Sequence, residues 1–143
     1  MTYLLASRGI ETLDIRLSHC TKDGIKVHRR KGSKDNIVQW TPRLKKAYFQ
    51  AIRRHSEYTV VMLDPYLIIG TTGGKLNKST LNTAMQRLKK RMIENGKGDS
   101  YWSLHLLKSK GISDAEDKNL GGHKSEQMKE RYNTKVEEVR AAK

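Results

Sequence analysis

A small set of side chains in this sequence has the types and spacing to do chemistry together. Near the C-terminus, Leu120-Gly121-Gly122-His123 is followed, nine residues after the histidine, by Tyr132. Upstream, Ser103-Leu104-His105-Leu106-Leu107-Lys108 offers a histidine and a lysine three residues apart, and Ser7-Arg8-Gly9-Ile10-Glu11 offers an arginine and a glutamate at the same spacing. To cut a phosphodiester without a metal, a protein needs a nucleophile, cationic donors for the charge on the non-bridging oxygens, and an acid for the departing oxygen. Tyrosine, arginine, lysine and histidine supply all three. A phenol with a reference pKa of about 10 is a poor nucleophile at neutral pH, so its proton must be removed or its anion favoured by nearby positive charge. Arg8 can bring that charge and a planar two-pronged contact to phosphate.

These groups are far apart in the chain, so folded elements must bring them together. Leu4, Leu5, Ile10, Leu13 and Leu17 fall at mostly helical spacing and predict a helix from Thr2 to about Ser18. Thr21-Lys22-Asp23-Gly24 is turn chemistry, after which Ile25, Val27 and Arg29 alternate with Lys26, His28 and Arg30 as in a strand. Gly32-Ser33-Lys34-Asp35 is a second turn and Asn36 to Trp40 a second strand, which makes an antiparallel hairpin with Lys31 at or beside its tip. Thr41-Pro42 opens a helix that should end near His55. Tyr58 to Ile69, broken by Asp64-Pro65, reads as short extended pieces. Asn77 or Ser79 caps a helix with Leu81, Ala84, Met85, Leu88 and Met92 facing inward. Further helices are expected over Ser103 to Lys110 and Ser125 to Tyr132, parted by Gly121-Gly122. The fold class is therefore α+β, mainly α-helical with a small antiparallel β-hairpin.

Composition narrows the partners. The 143 residues are the size of one ordinary domain, and 29 Lys and Arg against 15 Asp and Glu give a formal net charge of +14. Such a surface attracts polyanions, nucleic acid first among them. Basic residues are spread over the chain, and none of its helices pairs them with a clean face of large apolar residues, so a membrane partner is not expected. There is no long apolar stretch and no signal peptide, which with the single cysteine, Cys20, implies a cytoplasmic protein. Cys20 has no Cys or His partner at metal-ligand spacing, and His19, His28 and His55 read as surface or packing residues. Gly70-Thr71-Thr72-Gly73-Gly74-Lys75 looks like a phosphate loop, but its first glycine is one residue too close to the Gly-Lys pair and Leu76 stands where a Ser or Thr is needed. Trp40, Trp102 and Phe49 are too scattered for a base-stacking platform and are assigned to the core.

Four segments together resemble the tyrosine recombinases, the phage integrase family of site-specific DNA recombinases. The run from Leu120 to Tyr132 resembles that family's final box, Ser103 to Lys108 its His-x-x-Arg box, and Arg8 to Glu11 its Arg-x-x-Glu box, while Lys31 falls where the family keeps a mobile catalytic lysine. The boxes stand in the family's order, and the resemblance covers nearly the whole chain. It implies the recombinase catalytic core, the DNA breaking-rejoining enzyme fold. It also implies a reaction in which Tyr132 attacks phosphorus to give a 3′-phosphotyrosyl link, Lys31 protonates the 5′ oxygen, His105 assists proton transfer, and Arg8, Lys108 and His123 bind the phosphate. A second strand's 5′ hydroxyl would reseal the link, so no cofactor is called for. Double-stranded DNA is the implied partner, and a tetramer on paired sites, with exchange of a C-terminal segment such as Lys135 to Lys143, the implied assembly.

The chain also departs from the pattern. Lys108 stands at the second arginine position and keeps the charge without the bidentate fork. Leu106 replaces a residue that is often acidic. Arg8 lies near the start, whereas family members carry further catalytic-domain helices and a DNA-clamping domain before it, so residues 1–143 are read as a partial catalytic domain. Taken singly, Tyr132 is a packing residue, His105 a half-buried structural histidine and Lys108 a solvated charge; Glu11 is assigned to holding the helix or Arg8 in place. Two functions follow: strand cleavage and rejoining in DNA recombination and integration, or a catalytically inactive, DNA-binding fragment of a prophage integrase.

Overall fold

The computed structural model describes residues 1–58, 62–97, 103–117, 119–122, 125 and 127. Along them run helix α1 (Gly9–Leu13), a 3-10 turn (Leu17–His19), strands β1 (Gly24–Val27) and β2 (Asn36–Gln39), and helices α2 (Pro42–His55), α3 (Lys78–Glu94) and α4 (Leu104–Asp114). The class is α+β, mainly helical, with β1 and β2 forming one antiparallel sheet. In its register Ile25 faces Val38 and Val27 faces Asn36. Ile25, Val27 and Val38 are buried, while Lys26, Ile37 and Gln39 point outward, as a strand period of two requires.

The long first helix expected from the leucine spacing is not formed. Residues 1–7 fold instead as turns, with Leu5 N–H donating to Met1 O at 2.9 Å and Ser7 N–H to Thr2 O at 3.1 Å. Ala6 has φ 42°, a left-handed conformation that no right-handed helix passes through. The chain becomes helical only after Arg8, whose extended backbone makes it the N-cap of α1. The apolar residues reach the core all the same, since Leu5, Leu13 and Ile15 are each at most 2% exposed.

That core is a cluster of Leu5, Ile15, Ile25, Val27, Val38, Leu44 and Leu67, with Trp40, Tyr48, Ile52 and Leu120 packed at its edge. Leu44 comes from α2, which is started by Thr41 Oγ1 accepting from Leu44 N–H at 3.1 Å, with Pro42 at the first helical position. Leu67 comes from the stretch after Pro65, which runs beside residues 15–17 through the bonds Leu67 N–H to Ile15 O and Leu17 N–H to Pro65 O. Each such side chain contributes about 1.5–3 kcal/mol on burial. Phe49, assigned to the core from sequence, is 64% exposed on α2, and Trp40 is only half-buried, its Nε1 donating to Thr21 O. Trp102 lies outside the described residues.

Asn77 is the cap of α3, its Oδ1 accepting from Thr80 N–H at 2.7 Å. No residue of this helix is fully buried: Ala84 and Leu88, expected to face inward, are exposed. Ser103 caps α4 through Leu106 N–H, and the helix runs through Gly111 to Asp114. It continues because Gly111 lets α4 press against the N-terminal turn, where a Cβ would stand 2.2 Å from Tyr3 O. Tyr3 Oη also donates to Asp114 Oδ2 at 2.9 Å. The Gly70–Lys75 segment is a tight turn closed by Gly70 N–H to Gly74 O, and Lys75 pairs with Asp14. Among the described residues no helix is long and apolar enough to cross a membrane. Cys20 is free and half-buried, and burial followed by the nearby Asp64 charge raises its thiol to about 11.

The Gly111 contact seats α4 against the N-terminal turn. Gly111→Ala is expected to lower stability by about 1–3 kcal/mol through overpacking, read as a fall in the urea midpoint with an unchanged slope.

Candidate active site

The site is built around a buried carboxylate. Glu11, 1% exposed on α1, accepts from Arg8 N–H at 2.7 Å, from Arg8 Nη1 at 2.6 Å and from Arg30 N–H at 2.9 Å. Arg29 Nη1 lies 3.8 Å from its second oxygen. Burial alone would raise this carboxyl, but the hydrogen bonds from Arg30 and Arg8 outweigh it and hold Glu11 below the usual range, so it stays ionised. Glu11 thus does what the sequence reading assigned to it, from the third position of the helix that Arg8 caps.

Arg8 is half-buried, and besides Glu11 it donates from Nη1 to Arg30 O at 3.1 Å. That bond ties it to the base of the finger between β1 and β2. At the tip, Lys31 and Gly32 are both left-handed, with φ 56° and 76°, which reverses the chain in two residues and leaves the Lys31 side chain exposed. Of Arg30, Lys31 and Lys34, it is Lys31 that lines the cleft beside Arg8. Arg30 turns away to Asp14, 2.7 Å from its Nη2.

The Ser103 cap fixes the register of α4, and residues 105 and 108 then share a face of it. His105 is exposed and Lys108 only 1% exposed, so one stands at the mouth and the other in the floor. Burial, and then the positive charge of Arg8, lower Lys108 to about 8; Glu11 opposes this and Arg29 adds to it. Arg8, Arg29 and Lys108 thus gather around Glu11, which makes this end of the cleft rich in cations.

Arg8, Lys31, His105 and Lys108 line a single cleft of about 720 Å³. His123 and Tyr132 lie outside the described residues. The chain leading to them is held as far as Gly122, whose carbonyl accepts from Lys34 N–H at 2.8 Å, and a Cβ on Gly122 would stand 2.4 Å from Lys34 O. The opposite wall is the polar face of α3, where Lys78, Asn82, Gln86 and Lys89 line the cleft. Their helical spacing is plain in the sequence, on the face beside the apolar residues Leu81, Leu88 and Met92. Arg29, like these four, was missed, although it shares the inward phase of Ile25 and Val27. Among the described residues no group of His, Cys, Asp and Glu could hold a metal ion.

No protein-family profile and no curated protein matches the sequence. Solved structures do match. A XerA recombinase superposes with a TM-score of 0.74 at 18% identity, over 94% of this chain and 51% of that one. A lambda integrase(75-356) dimer bound to a COC′ core site gives 0.71 at 14% identity, over 99% and 53%. A XerH site-specific recombinase bound to a palindromic difH substrate, in a post-cleavage complex, gives 0.64 at 17% identity, over 92% and 39%. The chain therefore has the fold of the tyrosine recombinases' catalytic portion, as its four boxes imply, and spans about half the length of the recombinase chains it matches or less.

The Lys108 environment has a measurable signature. Between about pH 8 and pH 10.5 the unfolded chain holds a proton on this residue that the folded chain has released, so folding stability should rise with pH across that window. Lys108→Met is expected to flatten the rise. The difference between the two proteins' unfolding free energies should change by up to roughly 3 kcal/mol across the window.

Proposed function

We propose that this chain cuts and rejoins a DNA strand through Tyr132, as a site-specific recombinase does, with double-stranded DNA as its substrate. The observation that carries the reading is the convergence of Arg8, Lys31, His105 and Lys108, from distant parts of the sequence, on one cleft of the recombinase fold. The phenolic oxygen of Tyr132 attacks phosphorus as its proton passes to a base, with His105 placed to assist. Arg8, Lys108 and His123 stabilise the charge on the non-bridging oxygens, where preorganised donors contribute most. The bond to the 5′ oxygen breaks, and Lys31, exposed on its finger, gives that oxygen a proton. The phosphotyrosyl link keeps the energy of the broken bond, so a 5′ hydroxyl reverses the step without an external energy source.

DNA-bound relatives in fold, the lambda integrase and XerH complexes, and the net charge of +14 support the choice of DNA. A tetramer on paired sites is the assembly this reading entails. One observation favours a second reading, a DNA-binding fragment without turnover: Lys108 occupies the buried position with a cation that lacks the planar fork and titrates at about 8.

Both readings share a first expectation. Binding of a fluorescent duplex should weaken steeply with added salt, with a log–log slope of about 0.9 for each phosphate contacted. They part at the chemistry. Nicked suicide duplexes should trap a denaturation-resistant protein–DNA adduct with the wild-type chain and none with Tyr132→Phe. Salt-sensitive binding with no adduct from the wild type would select the inactive fragment.

A further inference from the structure

One arginine is spent entirely on protein acceptors at the point where the catalytic segments meet. Arg29, 8% exposed, donates from Nε to Asn36 Oδ1 at 3.0 Å. Its Nη1 donates to Ala6 O at 3.0 Å, and its Nη2 reaches Leu5 O at 2.9 Å, Asn36 Oδ1 at 2.9 Å and Leu120 O at 2.7 Å. Asn36 repeats the last contact, its Nδ2 donating to Leu120 O at 3.0 Å. Of the guanidinium's five N–H donors in a fixed plane, these acceptors engage four, the second Nη1 N–H lies toward Glu11 at 3.8 Å, and the side chain is fully covered, so it presents no donor to a phosphate.

The places it holds are the roots of three site segments. The carbonyls of Leu5 and Ala6 belong to the left-handed turn that delivers Arg8. Arg29 and Asn36 lie on the two sides of the finger that bears Lys31, and their mutual bonds cross-link its base. The Leu120 carbonyl lies at the entry to Gly121-Gly122-His123. We infer that Arg29, with Asn36, is a positioning residue that sets the Lys31 finger and the chain entering His123 against the turn that presents Arg8. The inference rests on the proposed cleavage reaction and adds to it a residue that never touches DNA. Lysine cannot replace it, since an ammonium has three donors around one point and no fork.

The test separates positioning from folding by the leaving group. Loss of Lys31 withholds a proton from an oxygen, but a thiolate leaves without one, because a thiol is far more acidic than an alcohol. The full chain is given a pool of nicked duplexes of randomised sequence, with oxygen or sulfur at the bridging 5′ position of one defined linkage, and initial rates of adduct formation are compared. Lys31→Ala should fail on oxygen and recover on sulfur. Arg29→Lys should lose roughly ten- to a hundredfold on oxygen, the scale of a small misplacement of reacting groups, and distinctly less on sulfur. Asn36→Ala, at a half-exposed position, should raise the sulfur-to-oxygen ratio in the same direction with a melting temperature close to wild type, and it stands in if Arg29→Lys does not fold. A ratio equal to wild type in the variants that fold overturns the inference, since a loss of folded protein alone lowers both rates together. No adduct from the wild type on either substrate removes the cleavage reaction itself, and the inference with it.

Discussion

Everything in this cleft depends on one carboxylate that cannot leave. Burying an ion costs several kcal/mol unless partners and hydrogen bonds restore what water supplied. Glu11 recovers it from Arg8 and from the Arg30 N–H, with Arg29 close behind. The same bonds decide geometry. They place Arg8 at the start of α1, dock the finger on Arg8, and leave a cation-rich pocket. A phosphate group has the right sign to enter it.

Around that carboxylate the scaffold is economical. α4 comes close enough to bury Lys108 only because Gly111 has no side chain to hold it off Tyr3. The Ser103 cap sets which residues of α4 look into the cleft, and α3 closes the other wall with amides and ammonium groups beside Met85. The hydrophobic cluster joins the inward face of the hairpin to Leu5, Ile15, Leu44 and Leu67, and none of its buried members lines the cleft.

What the sequence disclosed follows from the range of the forces involved. Thr41-Pro42, Asn77 and Ser103 act within one helical turn, and each marks its helix start. The hairpin was readable from its alternation, and the candidate site from the spacing of His105, Lys108, Arg8 and the Leu120–Tyr132 run. The first helix was misread because its leucines keep helical spacing while Ala6 is pulled into a left-handed turn, its carbonyl and that of Leu5 taken by Arg29. No local rule reports a donor that arrives from another strand. Phe49 and Leu88 were misplaced for a related reason: an apolar residue on a helix says that a face exists, not that anything covers it. Arg29 itself sat on the inward phase of β1, a signal that its charge concealed.

The bond from Arg29 to the Leu120 carbonyl joins residues 91 positions apart. Closing so long a loop is entropically late, since contacts near in sequence form before contacts across it. During synthesis the hairpin, the N-terminal turn and α2 can all fold while the ribosome is still extending the chain, but the finger acquires its last anchor only when Leu120 emerges. The order of manufacture thus coincides with the order of arming: the lysine finger and the approach to His123 are fixed by the same late contact, after the elements that precede it have folded.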